Sequence, residues 1–375
     1  MAQGSSVGPL LAALEQALHG ESPTLVPVAS GIERSALEAL RVDEAIDDDV
    51  ALVATTSGTT GAPKGAMLTA AALTASAAAT HARLGGPGRW LLALPSYHIA
   101  GIQVLVRSLL GGTYPVELDV SAGFDVSQLP SAVDELGAGR RYTSLVATQL
   151  AKALTDPAAA GALAELDAVL IGGGPAPRPV LDAAARAGVN VVRTYGMSET
   201  AGGCVYDGVP LDGVRLRIDD GRIVIGGDTL AKGYRNPPQP DPFAEPGWFR
   251  TDDLGVVDDS GVLSVLGRAD DAISTGGLTV LPQPVEAALR THPAVADCAV
   301  FGMPDERLGQ RVAAAVVLAD GAAAPTLEEV RAHVRRSLDH TAAPRELLVI
   351  DALPLRGIGK VDRPALTRLA AERLP

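Results

Sequence analysis

The chain has 375 residues, with 31 Lys and Arg against 44 Asp and Glu, for a formal net charge of -13. That acidity argues against a general nucleic-acid binder, and 47% hydrophobic against 20% charged residues excludes disorder for the bulk of the chain. The two cysteines, Cys204 and Cys298, form no Cys/His cluster, which excludes a disulfide framework and a Cys-rich zinc site and points to a reducing cytoplasm.

The N-terminal stretch MAQGSSVGPLLAALEQALHG lacks a basic leader region and carries Glu15 within its apolar run. It is shorter than the roughly 20 apolar residues of a membrane span, so it reads as an amphipathic helix, neither signal nor anchor. Short apolar runs at Val50 to Thr55, Trp90 to Leu94, Leu145 to Ala147, Ala168 to Ile171 and Val189 to Arg193 then alternate with Gly-rich turns and helical patterns, including an Ala-rich run from 69 to 83. That rhythm predicts an α/β architecture with buried strands. Near residue 214 it changes to period two across the turn residues of VRLRIDDGRIVIGG, predicting a β hairpin region that closes a large N-terminal domain, 1–267. Beyond it the pattern predicts a helix (282–290), strands (297–301 and 310–318), a helix (327–338), a strand (346–350) and a helix from Pro364, a smaller α+β domain over 268–375. An Ala- and Val-rich surface helix is compatible with a homodimer.

Of the basic residues only Lys64, Lys152, Lys232 and Lys360 are lysines. A chain that otherwise uses Arg keeps Lys where a compact point charge is needed, and Lys64 and Lys360 lie in Gly-rich stretches unlike ordinary helix surface. Around the first, Thr55-Thr56-Ser57-Gly58-Thr59-Thr60-Gly61-Ala62-Pro63-Lys64-Gly65 follows a strand and offers hydroxyls, backbone N–H groups and one cation, the donors a polyphosphate needs. Its spacing is not that of a Walker A loop. Ile171-Gly172-Gly173-Gly174 ends another strand, where glycines permit close approach of a planar ring. Arg193-Thr194-Tyr195-Gly196-Met197-Ser198-Glu199-Thr200 ends a third with hydroxyl and carboxylate groups suited to a nucleotide and a metal.

TSGTTGAPKG resembles the phosphate-binding signature of the adenylate-forming enzymes: acyl-CoA synthetases, adenylation domains and luciferases. Further motifs follow in that family's order, so the likeness runs from residue 45 to residue 370. The resemblance implies the adenylate-forming fold, with a mobile C-terminal domain, and ATP, Mg2+ and CoA as cofactor and co-substrates. It gives Thr56, Ser57, Gly58, Thr59, Thr60, Gly61 and Lys64 to the phosphates, Gly172, Gly173 and Gly174 to the adenine side, and Tyr195, Gly196, Met197, Ser198 and Thr200 to adenine and α-phosphate. Glu199 becomes the Mg2+ carboxylate, Asp253 and Arg268 ribose contacts, Asp270 the hinge, and Gly276 and Gly277 the lining of the pantetheine route. Lys360, in PLRGIGKVDR, becomes the catalytic cation between substrate carboxylate and α-phosphate, a role a cation in a water-poor site fills by offsetting the repulsion of two anions. Two departures from the family pattern are Asp252, where Gly is usual, and Ser274, where many relatives carry Lys.

In the same family frame His98, in PSYHIAGI, gates the acyl pocket. Arg107 lies nine residues on, expected close to three turns along the next helix and so able to share a face with His98. The short build before the phosphate loop, together with PSYHIAGI, resembles the actinobacterial o-succinylbenzoate-CoA ligases of menaquinone biosynthesis. That dicarboxylate calls for a second cation, for which Arg107 is the candidate, with Ser96 and Thr148 as hydrogen-bond partners. Another aryl- or acyl-CoA ligase, or an acyl-adenylating enzyme that loads a carrier protein, shares every motif. No nucleic acid or membrane partner is expected.

Overall fold

The structure is a computed structural model that describes residues 7–29, 34–56, 64–356 and 360–373. It divides into two compact units, Met1–Arg217 with Val224–Arg250 and Val257–Leu263, and Ile218–Ile223 with Thr251–Val256 and Ser264–Pro375.

The first unit begins with α1 (Gly8–Leu18), the expected amphipathic helix, which buries Leu11, Leu14 and Ala17 at three-residue spacing. A short helix α2 (Arg34–Ala39) leads to β1 (Val50–Thr56). The helical run expected after the phosphate loop is preceded by a strand, β2 (Lys64–Thr69), antiparallel to β1. A six-residue segment is too short to declare its period, and cross-strand pairing decides it. Thr69 ends β2 and caps α3 (Ala70–Arg83), its Oγ1 accepting the Ala72 N–H at 3.0 Å.

Then come β3 (Arg89–Leu92), α4 (Ile99–Leu110), β4 (Val116–Glu117), α5 (Leu129–Glu135), β5 (Arg141–Val146), α6 (Ala147–Leu154), α7 (Pro157–Ala164), β6 (Ala168–Gly172), α8 (Arg178–Arg186), β7 (Val191–Met197), β8 (Gly202–Tyr206) and β9 (Val209–Pro210). Their sheet has the order β4-β3-β5-β6-β7-β8-β9, parallel from β4 to β7 and antiparallel beyond. Strand residues alternate between two cores. Trp90, Leu92 and Leu170 face α1, α3 and α4, while Leu91, Val169 and Ile171 face the side of α5, α6, α7 and α8. The strand expected at Leu145 to Ala147 is β5, which starts earlier because Tyr142, Thr143 and Ser144 are buried although their polar groups hid the run; Ala147 already opens α6.

The period-two region forms a sheet ordered β10 (Val214–Asp219), β11 (Arg222–Gly227), β12 (Trp248–Val257) and β13 (Leu263–Arg268). Against the expected boundary at 267/268, the division into compact units runs through these strands. In the second unit follow β14 (Ile273–Thr275), β15 (Leu278–Val280), α9 (Pro282–Leu289), β16 (Val295–Asp305), β17 (Gly309–Leu318), α10 (Leu327–Val334), β18 (Glu346–Val349), β19 (Leu355–Arg356), β20 (Lys360–Val361) and α11 (Arg363–Arg373). Alternation again splits the core: Cys298 and Val300 face α9 and α10, Ala299 and Phe301 face α11. The β14–β15 hairpin was not legible as strand because each arm has three residues. No helix among the described residues is long and apolar enough to cross a membrane.

Candidate active site

The ends of the phosphate loop are placed by pairing of Thr56 with Lys64 across β1 and β2; Ser57, Gly58, Thr59, Thr60 and Gly61 lie outside the described residues. A strap, residues 231–236, runs along β2. Met67 N–H donates to Gly233 O (2.9 Å), Lys232 N–H to Met67 O (2.9 Å) and Arg235 N–H to Gly65 O (2.8 Å). The strap's first residue also donates from Ala231 N–H to Glu199 O at 2.9 Å. Tyr234, 8% exposed, donates its hydroxyl to Glu199 Oε1 at 2.5 Å, and Lys64 Nζ stands 5.4 Å from its ring centroid. The two lysines not suspected of chemistry are structural: Lys152 donates to Phe124 O, and Lys232 pairs with Asp47 and Asp49.

Tyr195, Gly196 and Met197 end β7, and Ser198, Glu199 and Thr200 form a single 3-10 turn that buries all three side chains. Thr200 Oγ1 accepts the Met197 N–H (3.0 Å) and lies 2.8 Å from the Gly202 carbonyl. The chain reverses at Ala201 in the left-handed region (φ 50°), and Ser76 Oγ donates to the Ala201 carbonyl at 2.9 Å. Gly196 is required here, because a Cβ would meet Gly202 O at 2.1 Å. Gly172 also passes close to Thr194, whose Oγ1 a Cβ would meet at 2.5 Å, while Gly173 and Gly174 are exposed.

His98 is the N-cap of α4 in extended conformation (φ -100°, ψ 149°), its ring 4.5 Å from that of Tyr97. The expectation that Arg107 shares its face is corrected. Nine residues are two and a half turns, and the N-cap lies outside the helical phase, so the two occupy opposite ends of α4, about 13 Å apart along the axis. Ser96 lies near His98 and Thr148 is exposed at the start of α6.

Arg107 is 3% exposed. Its guanidinium stacks on Trp90 (5.0 Å to the ring) and donates to Tyr206 Oη at 3.3 Å; Nε has no partner among the described residues, and no described carboxylate pairs with it. Tyr206 Oη in turn lies 3.0 Å from Thr80 Oγ1, which donates to Ser76 O at 2.9 Å. Burial first, and then the Arg107 charge, push the buried His81 imidazole down to about 4, so it is neutral at pH 7. Tyr206, Thr80 and Tyr234 were not singled out from sequence; each sits in an ordinary-looking run and acquires partners only across elements.

In the second unit three expected residues meet. Arg268 forks onto Asp270 (2.8 and 2.7 Å) and reaches Asp253 at 3.7 Å. Burial pushes the Asp270 carboxyl up, but the hydrogen bonds and charge of Arg268 more than offset this and hold it below the usual carboxylate range. The unusual Asp252 pairs with Arg222 at 2.9 Å and lies 3.7 Å from Arg268. Gly276 and Gly277 are the two central residues of the β14–β15 turn, both with positive φ (60° and 79°), which a type I′ turn demands. Lys360 opens β20, paired with Arg356 of β19, and 357–359 lie outside the described residues. Both thiols, Cys204 and Cys298, are buried and pushed up to about 12, which removes them as nucleophiles.

Among the described residues no cluster of three or more His, Cys, Asp or Glu could cage a metal. The buried Glu199 carboxylate instead fits Mg2+, which takes one or two carboxylates and completes its shell with substrate phosphates and water.

Residues 11–235 match the model of the AMP-binding enzyme family, and residues 284–360 that of the AMP-binding enzyme C-terminal domain. The chain belongs to the AMP-binding enzyme family. It is 74% identical over 368 residues, covering 97% of this chain and 96% of the relative, to a probable 2-succinylbenzoate–CoA ligase of Mycobacterium tuberculosis. Among solved structures it resembles the o-succinylbenzoate CoA synthetase of Bacillus subtilis bound to the acyl-adenylate intermediate OSB-AMP (TM-score 0.75, 28% identity, 95% of this chain and 80% of that one). The same synthetase with ATP and magnesium aligns at TM-score 0.73 and 31% identity, over 84% of this chain and 70% of that one.

Proposed function

We propose that this AMP-binding enzyme is an ATP-dependent acid–thiol ligase that converts o-succinylbenzoate to its CoA thioester through an acyl-adenylate, as in menaquinone biosynthesis. The carboxylate attacks the α-phosphorus of ATP and expels pyrophosphate; the CoA thiol then attacks the mixed anhydride and expels AMP. The 74% identical relative supports the ligase chemistry. The observation that carries the substrate is Arg107, a buried guanidinium without a described carboxylate partner, with an unpartnered Nε and a neutral imidazole beside it. A buried cation of that kind is costly unless an anion completes it, and the ring carboxylate of a dicarboxylic acid is such an anion.

In this reading Lys64 and the loop Thr56–Gly61 hold the phosphates, and Tyr195, Gly196, Met197, Ser198 and Thr200 the nucleotide, flanked by Gly172, Gly173 and Gly174. Glu199 would hold Mg2+, which neutralises phosphate charge when bound. Asp253 and Arg268 hold ribose, with Asp270 as hinge, and Gly276 and Gly277 line the pantetheine route. Lys360 brings carboxylate and α-phosphate together. Ser96 and Thr148 complete the acyl site, and a cytoplasmic location and a homodimer accompany the reading. The test is pyrophosphate release with Mg-ATP over o-succinylbenzoate, benzoate and a medium-chain fatty acid, with and without CoA. Turnover with o-succinylbenzoate completed by CoA is the expected result. Turnover only with another acid refutes the substrate, and acyl transfer to a carrier protein but not to CoA refutes the acceptor.

A further inference from the structure

Two charges of opposite sign, Lys64 and Glu199, stand on different elements, and one side chain touches both. Tyr234 is nine-tenths buried, and its position is fixed from several sides: an isolated antiparallel bridge pairs it with Ala66, and its ring meets Phe243 edge-on at 5.4 Å. The strap is anchored on its far side by Arg235, whose guanidinium donates to the carbonyls of Leu40, Arg41, Glu44 and Ala45. Asn236 Oδ1 accepts the Gly65 N–H at 3.1 Å. A phenol held this firmly is a fixed reference for what it contacts.

We propose that Tyr234 is a positioning residue for nucleotide and metal: its hydroxyl sets the orientation of the Glu199 carboxylate, and its ring face holds the Lys64 ammonium. The inference rests on the reading of Glu199 as the Mg2+ carboxylate and adds to it the group that aims that carboxylate. A charge-assisted O–H···O⁻ bond of 2.5 Å lies at the strong end of the range and fixes the carboxylate plane, hence the direction in which an oxygen lone pair meets a cation. Hydrogen-bond partners of metal-ligating groups act in this way, and their removal typically costs about 10- to 100-fold in metal affinity. The ring face draws the ammonium by its quadrupole, a contact that Phe preserves and Leu does not.

That difference makes the two functions separable. Calorimetric titration of the full chain with ATP, once with Mg2+ and once in EDTA, is read for wild type, Tyr234→Phe, Tyr234→Leu, Glu199→Gln and the double variant Tyr234→Phe/Glu199→Gln. Tyr234→Phe is expected to weaken MgATP binding about tenfold and to leave metal-free ATP binding within about twofold of wild type, with a melting temperature lowered by a few degrees at most. The double variant is expected to bind no more weakly than Glu199→Gln. Tyr234→Leu is expected to weaken metal-free ATP binding as well, because Lys64 loses its ring. The proposal is overturned if Tyr234→Phe binds MgATP as wild type does, or loses ATP affinity equally with and without Mg2+. If Glu199→Gln itself leaves the Mg2+ contribution intact, the reading of Glu199 fails and the inference with it. If Glu199→Gln abolishes that contribution while Tyr234→Phe does not, the inference alone fails.

Discussion

Replacing Arg107 with Met separates recognition of a second carboxylate from support of the fold. The guanidinium is 3% exposed, 5.0 Å from the Trp90 ring and 3.3 Å from Tyr206 Oη. Removing it forfeits a desolvated cation–π contact and a hydrogen bond to a charged donor, together about 3 to 5 kcal/mol. It also relieves the burial of an ion without a described carboxylate partner, which costs several kcal/mol. The two nearly cancel, so urea unfolding at pH 7 is expected to shift by less than about 1.5 kcal/mol, small for a replacement at so buried a site. Binding changes more: loss of a charge-assisted bond to the ring carboxylate, about 1.5 to 3 kcal/mol, lowers kcat/KM for o-succinylbenzoate roughly 10- to 150-fold. The paired assay uses 3-benzoylpropionate, the same skeleton without the ring carboxylate, which is expected to change little. An equal loss with both acids, or a stability loss beyond about 3 kcal/mol, makes Arg107 a structural cation and refutes the reasoning.

His81 gives a pH signature. Its folded pKa of about 4 lies below the unfolded value of 6.5, so the unfolded chain binds the extra proton and stability is present above 6.5 and falls as pH drops toward 4. Between pH 7 and pH 5 this site removes about 2 kcal/mol, and His81→Gln is expected to abolish that part of the slope in parallel unfolding curves. Gly196→Ala forces a Cβ against Gly202 O and Gly203 Cα. A stability loss of about 1 to 3 kcal/mol is expected, with weakened ATP binding by calorimetry, and a variant that keeps wild-type values of both would show that β7 and β8 yield freely. Lys360→Ala is expected to slow adenylation, measured as pyrophosphate release, by about a hundredfold or more while thioester formation from supplied acyl-adenylate persists; equal loss of both half-reactions removes Lys360 from its assigned step.

The sequence by itself marked out the segments that carry candidate chemistry. Short apolar runs punctuated by turn glycines named the α/β class, because a strand buried on both faces demands an uninterrupted apolar run whatever the neighbours are. The loop from Thr55 to Gly65, the Tyr195–Thr200 turn and the Lys360 segment were legible because their donors and acceptors are contiguous in the chain. The Asp252 departure could be named but not interpreted. Only folding shows that its carboxylate faces Arg222, 30 residues away in sequence.

Tertiary structure alone decided whatever depends on distance across elements. No periodicity reveals that β2 precedes α3, since strand pairing with β1 fixed it. Arg107 was recognisable as a cation but not as one buried against Trp90 and Tyr206, nor could His81 be seen to lose its proton beside it. Tyr234 reads as one tyrosine in a loop-like run, and only the strap's pairing along β2 carries its hydroxyl to Glu199, 35 positions away. Electrostatics and hydrogen bonding act over a few ångströms of space, and the chain order records neighbours in space only where they are also neighbours in sequence.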